Sequence, residues 1–81
     1  MSKDEIQEKR KEKMFNVSYS TASGKTKTFY IANESLAYFY FSKLILALDM
    51  WEVTVCDGLN GEVLTQWQNG KFIVMNGVSL D

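Results

Sequence analysis

One thiol, Cys56, and ten acidic side chains are the groups from which this 81-residue chain would have to build any acid–base or nucleophilic chemistry, because it has no histidine. A thiol becomes a nucleophile when a neighbouring base or cation lowers its pKa. Cys56 adjoins only Asp57, and no Cys–His pair can form. Glu34, Asp49, Glu52 and Glu62 fall on separate elements or on exposed faces, which does not give the paired carboxylates of general acid–base work. Missing histidines and a lone cysteine also remove most zinc sites and any internal disulfide. From these residue types we expect no enzyme, no catalytic residue, no metal and no cofactor.

Two short stretches imitate ligand loops. Gly24-Lys25-Thr26 has the ending of a phosphate-binding loop, but that pattern needs a glycine five residues earlier, where Tyr19 stands, and a helix afterwards. A strand is predicted there, so the stretch reads as a turn. Asp57-Gly58-Leu59-Asn60-Gly61-Glu62 gathers oxygen-bearing side chains, but Leu59 interrupts the alternation a calcium loop requires. It reads as a β-turn connection.

The third group is cationic. Residues 1–13 carry Lys3, Lys9, Arg10, Lys11 and Lys13 among Asp4, Glu5, Glu8 and Glu12, for a net charge of +1. Lys9, Arg10, Lys11 and Lys13 could touch phosphate, with Lys25, Lys27 and Lys71 as possible extensions. The interleaved acids favour a solvated helix face. The whole chain has nine basic and ten acidic side chains, net −1, with a pI near 5.3. That balance argues against a dedicated nucleic-acid binder, whose affinity rests on phosphate neutralisation.

These groups sit on a chain that is 46% hydrophobic, 14% aromatic and 23% charged, with five glycines and no proline, the composition of a globular domain. Between Ser2 and Lys13 only Ile6 is apolar, so no secretory signal is read there. The longest apolar run, Leu44 to Leu48, is far below the ~20 residues of a membrane span. We expect a cytoplasmic protein with no membrane association and a reduced Cys56.

The period along the chain supplies the elements. Residues 1–13 have helix formers without an apolar stripe, and read as a charged extension with a weak helix. Residues 14–81 read as a single α+β domain, and a chain beginning at Met14 is expected to fold. Phe15, Val17, Tyr19 and Thr21 alternate with polar residues; Ala22 to Lys25 is a turn, and Thr26 to Ala32 is a second strand. Asn33 is an N-cap for a helix running to about Met50. Leu36, Ala37, Tyr40, Phe41, Leu44, Ala47 and Leu48 form its main apolar face. Trp51 to Cys56 and Glu62 to Gln68 are strands around the glycine loop. Asn69-Gly70 selects a two-residue type I′ turn into a fifth strand, Lys71 to Met75, which Asn76-Gly77 ends. The expected fold is α+β: an antiparallel sheet of about five strands (β-β-α-β-β-β), one helix packed on one face, and a short N-terminal helical extension.

Two surplus apolar surfaces follow. At about 100° per residue, Phe39, Leu46 and Met50 project within about 40° of one another beside Lys43, opposite the main helix face. If Trp67 and Phe72 pair inward, Leu64, Ile73 and Met75 point outward, where Tyr30 could join them. Both stripes are candidate interaction surfaces.

Trp51-Glu52-Val53-Thr54-Val55-Cys56-Asp57-Gly58-Leu59-Asn60-Gly61-Glu62-Val63-Leu64 resembles a strand–turn–strand unit that follows a single helix in small accessory proteins of phages and mobile elements. The β-β-α-β-β order over residues 14–75 is similar to several compact phage inhibitors, including some anti-CRISPR proteins. The resemblance implies a non-enzymatic protein-binding module that occludes a surface of a host complex, in the host cytoplasm if phage-encoded, and it transfers no functional residue. The alternatives are a nucleic-acid-associated accessory protein using the N-terminal basic cluster, and a structural homo-oligomer such as a homodimer.

Overall fold

Alternation at period two makes each strand amphipathic, and the turns between them decide which strands meet. The computed structural model describes residues 14–80. Strand β1 (Phe15–Thr21) and β2 (Thr26–Ile31) precede helix α1 (Glu34–Leu44); β3 (Met50–Asp57), β4 (Val63–Gln68), β5 (Lys71–Met75) and β6 (Val78–Ser79) follow it. They form one antiparallel sheet in the order β2-β1-β3-β4-β5-β6. The expected α+β class holds, with six strands instead of five. Residues 1–13, with the expected N-terminal helix and the cations Lys9, Arg10, Lys11 and Lys13, lie outside the described residues.

Turn chemistry explains the hairpins. Between β1 and β2 the Gly24 N–H donates to the Thr21 carbonyl (3.0 Å), and the Thr21 N–H donates to Lys25 O (2.8 Å). Gly24 has φ +94°. This is a three-residue loop closed by a left-handed glycine, with no phosphate cradle. Asn69 and Gly70 have φ 47° and 85°, the positive values of the expected type I′ turn. Asn76 and Gly77 repeat them at 52° and 79°, so this second Asn-Gly pair reverses the chain again. Met75 then pairs with Val78, which creates β6. In the Asp57–Glu62 loop, Asp57 Oδ1 accepts the Leu59 N–H and Asn60 Oδ1 accepts the Glu62 N–H, both at 2.8 Å. The side-chain oxygens are spent on the turn itself.

Paired strand residues share a face, so register defines the two sides of the sheet. Val17 on β1 is paired with Phe29 and with Val55, and Val53 with Tyr19 and Trp67. These face α1, where Val17, Val53 and Val55 are fully buried with Ile31, Ala37 and Phe41. Each fully buried side chain of this size contributes ~1.5–3 kcal/mol. The opposite face is a polar field of Thr28, Ser18, Thr54 and Gln66 in one row, and Ser20, Glu52 and Gln68 in the next.

The helix begins where expected and stops six residues early. Asn33 Oδ1 accepts the Leu36 N–H at 3.0 Å, with Glu34 in the first turn and Lys43 in the last. After Leu44 the bonds tighten to three-residue spacing: Leu46 to Lys43, Ala47 to Leu44 and Met50 to Ala47. At 1.5 Å per residue, six more helical residues would add about 9 Å, carrying Met50 away from its partner Thr21. The first hairpin holds this end, through Ala22 N–H to Asp49 O (2.9 Å) and Ser23 Oγ to Asp49 Oδ2 (3.3 Å). The helix face that buries is therefore Ala37, Phe41 and Leu44. Leu36 and Tyr40 are left about half exposed on its flank, and Leu48 is fully exposed beyond its end.

Candidate functional site

Neither surface drawn from the sequence survives as a unit, and the reasons are local. Phe39, Lys43, Leu46 and Met50 were expected on one helical stripe. Phe39 and Lys43 share the helix, with Lys43 Nζ 5.5 Å from the Phe39 ring centre. Leu46 lies in the tightened turns, and Met50 begins β3 and packs on the core. The early helix stop divides the stripe.

Tyr30, Leu64, Ile73 and Met75 were expected together on the open sheet face. Trp67 and Phe72 do pair, and Phe72 faces the helix, its ring 6.1 Å from Phe41. Two bulges then break the parity. Between β3 and β4, Val55 pairs with Thr65 and Cys56 with Val63, so Leu64 is the extra residue and turns to the core. Between β4 and β5, Trp67 pairs with Phe72 and Gln66 with Val74, so Ile73 is extra and Val74 takes the open-face position. Tyr30 alone keeps its place, 67% exposed in the row Tyr30–Asn16–Cys56–Val63 at the β2 edge. Met75, 40% exposed, lies on the far side of the sheet, beside β6.

What the fold does bring together are two clefts: one of mixed polar and apolar lining where β3, β4 and β5 meet, and a more apolar one between β2 and α1. The helix packs against β1, β2 and β3, so the aromatic residues of β4 and β5 extend beside it. Trp51 joins them because a third bulge leaves it unpaired with β1: Thr21 pairs with Met50 and Ser20 with Glu52. The Trp51 carbonyl is held by the Asn69 N–H at 2.7 Å. Trp51, Phe72 and Ile73 line a cleft of about 410 Å³ with Gln68, Asn69 and Lys71 at its rim. Trp51 and Phe72 keep 42% and 38% of their surfaces in solvent. Sequence reasoning placed Phe72 in the core and gave Trp51 no role, since nothing in a linear pattern marks a bulge. The second cleft, about 350 Å³, runs between β2 and α1 over Phe29, Tyr30, Ile31, Ala32, Leu36 and Tyr40. Its Phe29 and Tyr40 belong to an aromatic series, Tyr19–Phe29–Tyr40–Phe39, with successive ring centres about 6 Å apart.

The titratable groups are dispersed. Asp57 is tied to its own loop, and among the described residues no three His, Cys, Asp or Glu side chains gather as a metal site. Lys25 and Lys71 lie at the same end of the sheet, but β1, β3 and β4 stand between β2 and β5, with Glu52 and Asp49 interposed. Cys56 is half-buried on the open face, and burial pushes its thiol above the ordinary value. The folded thiol therefore stays protonated at neutral pH, and alkylation by iodoacetamide should be slower than in the unfolded chain. The raised pKa favours the folded state below the unfolded thiol's pKa, and that contribution falls away as pH rises through the alkaline range. Equal alkylation rates for native and denatured chain would contradict this burial.

Compared with known protein families, with curated proteins and with solved structures, the chain matches none. Among the described residues no helix is long and apolar enough to cross a membrane.

Proposed function

We propose that the chain is a non-enzymatic protein-binding module that acts by covering a surface of another protein, in the manner of a phage- or mobile-element-encoded inhibitor of a host complex. The observation that carries this reading is the Trp51–Phe72–Ile73 cleft: two aromatic rings and an aliphatic side chain, held by bulged strands and left beside the helix. Rigid, partly exposed aromatic side chains ringed by amide and cationic groups are the usual anchors of protein interfaces. Lys71 is the one charged residue lining the cleft, which suits a partner presenting an apolar side chain beside an acceptor or acidic group. The absent histidine, the protonated Cys56 thiol and the loop-bound Asp57 support a role without catalysis.

Tagged wild type and Trp51→Ser, passed over lysates of candidate bacterial hosts, test the reading. Trp51 packs at the rim of the fold, so the variant should stay folded and lose retention of a specific protein. A wild-type chain that retains no protein, or retains the same protein after Trp51→Ser, overturns it.

A further inference from the structure

We infer that the free edge of β2 is a self-association site, at which a second copy of the chain pairs antiparallel, β2 against β2, about a two-fold axis through Thr28. This does not rest on the Trp51–Phe72 cleft, which lies where β3, β4 and β5 meet.

Among the described residues nothing pairs with β2 on its outer side, and the opposite sheet edge is only the two-residue β6. A long edge strand invites pairing unless it is blunted by proline, bulges or charge. β2 has no proline, and its ladder with β1 runs from Phe15↔Ile31 to Ser20↔Thr26 without a register shift. The hydrogen bond from Thr21 N–H to Lys25 O sets the phase of that ladder. Bonded and non-bonded pairs alternate in antiparallel strands, so Lys27, Phe29 and Ile31 bond to β1. The N–H and C=O groups of Thr26, Thr28 and Tyr30 therefore point outward.

Those outward groups and one charge select the register. With Thr28 on the axis, Thr28 faces the second copy's Thr28, and Thr26 faces its Tyr30 on both sides of the axis. All the outward groups of β2 are then used. Centring on Lys27 or Phe29 leaves one of them unpaired at the end of the strand. Centring on Lys27 also sets two ammonium groups directly opposite, which is destabilising. In the Thr28 register Lys27 instead faces Phe29 of the second copy, and Lys27 Nζ already lies over its own Phe29 ring at 5.0 Å. Charge thus disfavours one register and is accommodated by a ring in the other. The cleft of Phe29, Leu36 and Tyr40 runs along this same edge and would be continued by its symmetry mate.

Sedimentation of the full chain across a concentration series tests the proposal, with a concentration-dependent dimer expected. Thr28 is exposed, so Thr28→Lys leaves the fold intact while placing two cations on the axis; it should weaken dimerisation by about tenfold or more. In a Cys56→Ser background, Thr28→Cys should form an inter-chain disulfide on mild oxidation, whereas Ser23→Cys in the neighbouring loop should not. A wild-type chain that is monomeric at millimolar concentration overturns the inference. So does a dimer indifferent to Thr28→Lys whose Thr28→Cys form stays reduced.

Discussion

Phe41→Ala should cost about 3–5 kcal/mol, a large share of the chain's stability. Phe41 is 5% exposed, sits among Val17, Val53, Val55, Ile31 and Ala37, and approaches Phe72 at 6.1 Å between ring centres. It is the largest side chain of the buried cluster, joining the helix to the middle of the sheet and to β5. Truncating a buried phenylalanine costs about 3–5 kcal/mol, from lost transfer and the cavity left behind. A domain of this size has a total stability of about 3–10 kcal/mol at 0.05–0.15 kcal/mol per residue. Two positions earlier, Phe39 is 52% exposed, and Phe39→Ala should change stability by roughly 0.5 kcal/mol, as surface substitutions do. Urea unfolding followed by circular dichroism measures both. Equal losses for the two phenylalanines would refute the placement of the helix on the sheet.

Gly58→Ala is expected to be the costliest change in any turn of the protein. The Gly58 N–H donates to the Met14 carbonyl at 2.9 Å, which ties the β3–β4 loop to the start of β1 beside the Phe15↔Asp57 pair. A β-carbon at Gly58 would lie 2.5 Å from that carbonyl oxygen and 3.1 Å from its carbon. Both are backbone atoms, so the loop or the first strand has to move. Such overpacking costs about 1–3 kcal/mol, and each kcal/mol lowers Tm by about 4–8 °C in a domain of this length. Gly61, in the same loop, has φ +74° and open space around it, so Gly61→Ala is penalised only by its backbone conformation and Gly61→Asn should recover part of the loss. For Gly58 asparagine brings no recovery, because the obstruction is steric. A Gly58→Ala chain as stable as wild type would mean that β1 does not begin against this loop.

Much of this architecture is legible in the sequence. Alternation over Phe15–Thr21 and Thr26–Ile31 located the first hairpin, and Asn33 located the helix start through its side-chain acceptor. Asn69-Gly70 located the β4–β5 turn, since only residues tolerant of positive φ close a two-residue hairpin. The inward pairing of Trp67 with Phe72 also followed from that turn. Asn76-Gly77 carries the same signal, but from the sequence it reads only as the end of β5, because a strand as short as β6 has no period to detect.

The candidate surfaces were less legible because they depend on where strands miscount against each other. Leu64, Ile73 and Trp51 look like ordinary alternating positions in the sequence. Each is the extra residue of a bulge in the fold, and one extra residue moves a side chain to the other face. The helix end is similar: Leu44 to Met50 keeps a helical apolar pattern, with no glycine or proline to stop it. The stop comes from the first hairpin, whose Ala22 and Ser23 hold Asp49 where β3 must start. Sequence by itself determined the five longer strands, the helix start, their order, the Asn69-Gly70 turn type and the shortage of catalytic groups, because these follow from the backbone preferences and functional groups of residues adjacent in the chain. Only the tertiary structure decided the bulges, the helix length and hence which apolar side chains stay in solvent, because each is settled by contacts between segments far apart in sequence.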